Sequence, residues 1–341
     1  MLAPRQTPTY REAAERGIAV VDLGDLSGEN PASWWRGARS LRRFLRRERI
    51  DAMNVHTGAG HALCAWVCHR AGIPLVRTRG DIRVPRADPL HRFLYGRATQ
   101  HHLAAADFLA DEVYPPLGVP RDRVTVLRGG VDLGRLAAIV RADARKTVRE
   151  RLGLAPDAPL IGMVARLSPV KGHADLIRAM AAWGALRGAV HCVMAGPDAQ
   201  LSRDDLRTVA RAAGLADRIH LVGRVDDPFV WSAALDVAVI ASVDSEAICR
   251  SAFEYMGLGV PLVATAVHAI REVVQPGTGL LVSPESPDAL AAAIGRLLDE
   301  PALRRTIGAA GRAHVVANYG LDRFGLDAER MFAAVIGGAR R

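Results

Sequence analysis

Cysteine, lysine and aromatic residues are scarce in this 341-residue chain, and each shortage excludes something. Of four cysteines only Cys64 and Cys68 are close, four apart in HALCAWVCHR, where a helix would place both on one buried face; Cys192 and Cys249 stand alone. No cysteine–histidine pairing with metal-ligand spacing recurs, so neither a zinc site nor a redox pair is expected. Aromatics make up 5% of the chain and are not interleaved with its basic residues. That argues against nucleic acid as a partner, since single-strand binders need stacking rings. Long apolar runs are missing too: the strongest, 235–243, is broken by Asp236, well short of the ~18 residues of a spanning helix. No charged-then-apolar leader opens the sequence, which makes the cytoplasm the expected location. Nor is there a GxGxxG after an opening strand, a GxxxxGK[ST], a GxSxG or an HExxH. Nicotinamide dehydrogenases, P-loop NTPases and the corresponding hydrolases lose their main support.

What is present describes a globular protein, with 50% apolar and 24% charged residues and a length that suggests two domains of ~150 residues. Its charge is lopsided. Residues 1–150 hold 25 Lys+Arg against 16 Asp+Glu, whereas 151–341 hold 20 of each. A basic half beside a neutral half points to an anionic partner for the first. Its densest run, Arg42, Arg43, Arg46, Arg47 and Arg49, has helical spacing around Leu41, Phe44 and Leu45, which fits a solvated helix face or one that meets anionic lipid headgroups.

Short apolar runs alternate with longer amphipathic stretches, the pattern of parallel sheets with crossover helices. Strands are expected at 18–23, 52–56, 75–78, 102–105 and 124–127, and then at 160–165, 190–195, 219–222, 237–241, 261–264 and 279–282. Helices are expected at 34–49 and 60–71. The polar, Arg-rich stretch 132–159 reads as the connection between domains. The expected division is 1–140, 141–318 and a C-terminal helical segment, 319–341.

Two segments carry chemistry. In MVARLSPVKGHADLIRAM, 163–180, a strand leads into a loop with Arg166 and Lys171 before Gly172 opens a helix. Two cations thus meet a helix N-terminus at the carboxyl end of a parallel strand, where phosphate oxygens bind. Only Lys146 and Lys171 are lysines among 45 basic residues, so the amine at 171 stands out in a chain that otherwise uses arginine. In the segment 241–274, Glu246 precedes Glu254 by eight residues, and Ala247, Ile248 and Cys249 are read as the start of the intervening helix. A helix would place the two carboxylates on one side, able to accept polyol hydroxyls at two points. Replacing Lys171 or Glu254 by alanine is expected to remove activity without unfolding the chain.

With the GxPLVAT run, the TGLLV strand and the ARLxxxKG loop, this E-x7-E pattern resembles the retaining nucleotide-sugar glycosyltransferases of family 4. DAMNVHTG, RVTVLRGGVDL, ARLSPVKG, VMAGPD, IHLVGRVDD and MGLGVPLVATAV follow in the family's order over most of the chain. The resemblance implies an α/β fold of GT-B type: two Rossmann-like domains with parallel sheets facing across a cleft, and a C-terminal helix crossing back to the first domain. It implies that Arg166 and Lys171 bind the donor diphosphate, that Glu246 and the amides of Ala247, Ile248 and Cys249 hold the sugar, and that Glu254 takes the ribose. Gly223, Arg224 and Val225 would line the base. No metal or other cofactor is implied, the donor being a UDP-, GDP- or ADP-sugar. The acceptor would be a glycan or glycolipid, with lipopolysaccharide or surface-polysaccharide assembly at the inner membrane as the setting.

The chain departs from the family in three places. Ala247 stands where a glycine is usual, which would tighten the donor-sugar pocket. Gly80 stands where a histidine is often found, leaving His56, Arg79 and Asp81 as acceptor candidates, with Arg77 and Arg83 completing a cluster suited to an anionic acceptor. The sequence also begins where the family would already have completed a strand, a Gly-rich loop and a helix, so one βα unit is expected to be missing. Two rivals remain: a sugar-nucleotide epimerase of the same fold, and a nucleotide-sugar-binding protein without turnover.

Overall fold

A computed structural model describes residues 1–26, 30–183, 189–244 and 246–339. The chain forms two compact units, Met1–Leu127 with Leu326–Arg341, and Arg128–Gly325. The sequence reading put these changes at 140 and 319.

Unit 1 carries a parallel sheet in the order β1 (Met53–Val55), β2 (Leu75–Arg79), β3 (His101–Ala104), β4 (Val124–Val126). The strand expected at 18–23 is not formed; Val21 makes only an isolated parallel bridge to Leu2. Helix α1 (Pro8–Glu15) lies between these two. Helix α2 (Pro31–Arg47) starts at a capping box of Asn30 and Ser33, and its Leu41 and Leu45 are buried with Leu63, Val67 and Leu75. Leu63 and Val67 belong to α3 (His61–Ala71), which stops at Gly72 in the left-handed region, φ +67°. Helix α4 (Pro89–Gly96) is capped by Asp88. The end of the chain also belongs to this unit: Met331 packs with Val76 and Leu103.

Unit 2 is built on six parallel strands in the order β10-β9-β8-β5-β6-β7, that is Leu280–Val282, Leu262–Thr265, Val237–Ile240, Leu160–Val164, His191–Ala195 and Ile219–Leu221. The central strands read as continuous apolar runs because helices cover both faces. Their order reverses between β5 and β8, which are hydrogen-bonded neighbours although β6 and β7 intervene in the sequence. Helices α7 (His173–Ala182), α8 (Arg203–Ala212), α9 (Pro228–Ala233), α10 (Arg250–Gly257), α11 (Ile270–Val273), α12 (Pro287–Asp299) and α13 (Pro301–Asn318) connect or cover the strands, and α14 (Leu321–Ala339) follows.

The supposed connection 132–159 is instead part of unit 2. It forms α5 (Leu133–Ala137) and α6 (Arg141–Leu152), and α6 docks through a short apolar stripe, Ala144, Val148 and Leu152, with arginines beside it. Arg141 donates to the carbonyls of Ala233, Leu235 and Gly259, at 3.1, 2.8 and 2.9 Å. Arg149, 1% exposed, donates to Asp236 at 2.9 Å, and Arg145 binds the other oxygen of that carboxylate. The Leu160 amide completes the set at 2.8 Å from Asp236. Among the described residues no helix is long and apolar enough to cross a membrane.

Unit 1 buries two histidines. His61 meets the Thr99 hydroxyl at 2.8 Å and packs edge-on against Tyr95, and His102 lies 2.9 Å from the Tyr95 carbonyl. Burial pushes both down to about 3 from 6.5. A histidine whose folded pKa is depressed binds its proton on unfolding, so stability present above the ordinary value is lost as pH falls below it. Thermal melts should therefore fall in midpoint between pH 7 and pH 4.5, and His61→Gln should narrow that gap; an undiminished gap would show that this site does not contribute.

Candidate functional site

The reversal point of an open parallel sheet leaves a crevice at the carboxyl ends of the two strands that flank it. In unit 2 those strands are β5 and β8, and the loops that leave them carry Lys171 and Glu246. After β5 the chain passes Arg166, forms one 3-10 turn, Pro169–Lys171, and enters α7 through Gly172. Gly172 is at φ +68°, and a Cβ there would lie 1.9 Å from the Ala241 carbonyl oxygen. Only glycine allows this turn to lie against the end of β8. The Val243 amide donates to the Val170 carbonyl at 3.0 Å, joining the two loops through the backbone.

Side chains complete the junction. Lys171 donates to Oε1 of Glu246, and the Ser242 hydroxyl donates to the same oxygen at 2.6 Å. Ser242 is itself held, its carbonyl accepting from Thr265 Oγ1 at 2.5 Å, and the Ala269 amide donates to the Glu246 carbonyl at 3.0 Å. Glu246 is buried, while a fifth of the Lys171 side chain reaches solvent. Both side-chain bonds fall on Oε1, and no described residue bonds Oε2.

Glu246 does not lie on a helix with Glu254, as the spacing suggested. Helix α10 begins at Arg250 with Cys249 as its N-cap, so Glu246, Ala247 and Ile248 belong to the loop before it. The two-turn argument for a common side therefore fails. Ala247 and Cys249 are buried and Ile248 is half-buried. Glu254 is half-buried on α10, and burial raises its carboxyl above the ordinary value while Arg250 and Arg135 oppose the shift. The phenol oxygen of its neighbour Tyr255 accepts from the Val164 amide at 2.7 Å, fixing α10 to the end of β5.

The loops after β6 and β7 adjoin this junction. Gly196 donates to the Gly223 carbonyl at 2.7 Å, and a Cβ on Gly196 would lie 1.9 Å from the Ala165 carbonyl oxygen. Gly223 is buried at φ +60°, Arg224 is exposed and Val225 is half-buried against the core. Arg166 is exposed. His173, buried behind the 3-10 turn, is pushed down to about 4, mainly by burial. Ser242, Thr265 and Tyr255 were not singled out from the sequence; the one signal for Ser242 is its place four residues before the carboxylate it binds.

The remaining sequence candidates lie in unit 1, at the carboxyl ends of its strands. His56 lies just past β1, 3.1 Å from the Asn54 amide nitrogen, and partial desolvation of its ring and the nearby Arg77 charge lower its pKa. Arg79 ends β2, buried, and donates to half-exposed Asp81 at 2.9 Å. All four cysteines are buried and free, with the Cys64 thiol raised to about 11 and those of Cys68 and Cys249 to about 12. Among the described residues no group of three or more His, Cys, Asp and Glu could hold a metal ion.

Because Glu246 is buried, removing its cation should destabilise the fold. Lys171→Ala is expected to cost about 3 kcal/mol, the low end for a broken buried pair because the lysine is partly solvated, and the added Glu246→Gln change should restore most of it. Chemical denaturation of the two variants and wild type tests this; a Lys171→Ala protein as stable as wild type would show that the pair does not form.

Comparison with known proteins follows the same division. Residues 1–135 match the family described as Glycosyltransferase Family 4, and 144–314 match Glycosyl transferases group 1. A 2-deoxystreptamine N-acetyl-D-glucosaminyltransferase from Streptomyces fradiae is 31% identical over 88% of this chain and 75% of its own length. Against two further curated relatives the chain spans 60% and 53% of their length. A glycosyltransferase structure from Rickettsia africae superposes with a TM-score of 0.89 at 18% identity, covering 97% of this chain and 89% of that one. Anabaena HepE, solved with UDP-glucose, gives 0.78 at 21% identity, covering 98% and 91%. At these identities the structural likeness is one of fold, the GT-B type.

Proposed function

The chain belongs to the group 1 glycosyltransferases of family 4, and we propose that it is a retaining enzyme that moves a sugar from a nucleotide-sugar donor to a glycan or glycolipid acceptor. The observation that carries this reading is the Lys171–Glu246 junction between the loops of β5 and β8.

Breaking the bond between the sugar and the diphosphate leaves negative charge on the departing nucleotide while the sugar becomes oxocarbenium-like. Fixed cations beside the phosphate lower the energy of that state more than they lower the ground state. Arg166, which is exposed, and Lys171, held by Glu246, are the groups for this role. Oε2 of Glu246, which no described residue bonds, and the backbone of Ala247, Ile248 and Cys249 hold the sugar hydroxyls. Glu254 binds the ribose, and the loop Gly223, Arg224 and Val225 takes the base. The cations replace a metal, so the reaction proceeds without one. HepE binds UDP-glucose, which makes UDP the first nucleotide to try here.

Calorimetry and thermal shift against UDP, GDP and ADP should show one nucleotide stabilising the protein equally with and without EDTA. NMR of the transfer product should show the donor's anomeric configuration preserved. Loss of binding in EDTA would overturn the metal-free reading, and an inverted product the retaining one.

We further assign the basic first half to an anionic membrane surface, in the setting of surface-polysaccharide or lipopolysaccharide assembly. Helix α2 exposes Arg36, Arg39, Arg42, Arg43, Arg46 and Arg47, and Trp35 beside them is 63% exposed. An exposed indole beside a cationic face suits the headgroup boundary. The purified chain should co-sediment with phosphatidylglycerol vesicles at low salt and be released at high salt; equal binding to phosphatidylcholine vesicles would refute an electrostatic contact.

A further inference from the structure

We propose that Arg77 and Arg79 seat a phosphate monoester carried by the acceptor, an assignment that rests on the transferase reading and specifies its second substrate. Alternation along β2 places Leu75, Arg77 and Arg79 on one face. Leu75 is in the core with Leu41 and Leu63, and the next two positions on that face would continue the core if they were apolar. They are arginines, each 2% exposed.

Arginine cannot shed its charge, and a buried guanidinium without a counter-ion costs several kcal/mol. The other deeply buried arginine among the described residues, Arg149, meets that requirement with Asp236 and three carbonyls. The pair in β2 does not. Arg77 Nη1 donates to the neutral carbonyls of Val55 and Thr78, at 3.0 and 2.7 Å. Arg79 Nη2 donates to Asp81 at 2.9 Å and to the Arg83 carbonyl. Among the described residues Arg77 Nε, Arg79 Nε and Arg79 Nη1 have no partner, and neither has the Tyr114 hydroxyl, which is fully buried. One half-exposed carboxylate is thus bonded to Arg79 and none of the described carboxylates is bonded to Arg77, and four donor atoms are left over. His61 and His102 remain neutral near physiological pH and contribute no anion.

A sugar hydroxyl would occupy some of these donors without offsetting the charge. A phosphate monoester does both: its terminal oxygens accept several hydrogen bonds, and its charge of nearly −2 balances the excess. The position fits the reading, because the pair lies toward the carboxyl end of β2, the end of an α/β sheet that receives ligands. Such a group can come from a soluble sugar or polyol phosphate or from a lipid phosphate.

The test uses the full chain, with inorganic phosphate, glycerol 3-phosphate and monomeric dihexanoyl phosphatidate titrated calorimetrically into wild type, Arg79→Gln and Arg79→Lys. UDP binding is measured on each as an independent report on the donor site and on folding. Phosphate affinity should fall at least tenfold in Arg79→Gln, and Arg79→Lys should keep it within a few-fold, while UDP binding is unchanged in both. Tighter Arg79-dependent binding of glycerol 3-phosphate assigns a soluble acceptor; tighter Arg79-dependent binding of the phosphatidate assigns a lipid one. Phosphate binding that is absent from wild type, or that survives equally in Arg79→Gln, overturns the proposal. Failure of wild type to bind any nucleotide overturns the donor reading instead.

Discussion

A carboxylate removed from water must be given partners, and the architecture of unit 2 around its sheet reversal follows from meeting that need at Glu246. Lys171 and Ser242 supply them, and their placement requires the loops of β5 and β8 to converge. Convergence in turn requires a residue without a side chain at 172, because the Ala241 carbonyl occupies the space a Cβ would fill. The acid, the amine and the glycine are three expressions of one constraint. Together they hold polar groups at fixed positions, the preorganisation that the proposed transfer would draw on.

The same residue type serves opposite ends in the two units. In α6, arginines add to a small apolar stripe, tying the helix to orphan carbonyls and a buried aspartate. In β2, arginines of similar burial are left with unused donors. Burial alone therefore does not separate a structural arginine from a binding one. The account of donors against acceptors does, since a folded chain rarely leaves buried groups unsatisfied without a reason.

This contrast also explains how far the sequence could be read. The strands of unit 2 were legible because burial on both faces makes them continuous apolar runs bounded by turns. Helix α6 was not, because its apolar stripe is reduced to Ala144, Val148 and Leu152 among arginines, a weak period in a polar segment. The segment 18–23 had the composition of a strand, yet strands are made by neighbours, and Val21 has only its bridge to Leu2. At the site, Lys171 and Glu246 were each recognisable, but their pairing across 75 residues depends on β5 and β8 being adjacent, which local spacing does not encode. The eight-residue interval between the glutamates misled for a related reason: it presumed a helix, whereas the chain keeps Glu246 in a loop and starts α10 at Arg250.

The rarity of lysine gives the junction an unusual chemical visibility. Lys146 is exposed on α6, and Lys171 is tied to a buried carboxylate. Apart from the chain's amino terminus, an acylating reagent thus meets two primary amines of very different accessibility, one a constant reference and the other shielded according to the state of the pocket. The ratio of their modification would follow occupancy directly, without a coloured substrate or a coupled assay, in a protein whose remaining cations are guanidinium groups that such reagents leave untouched.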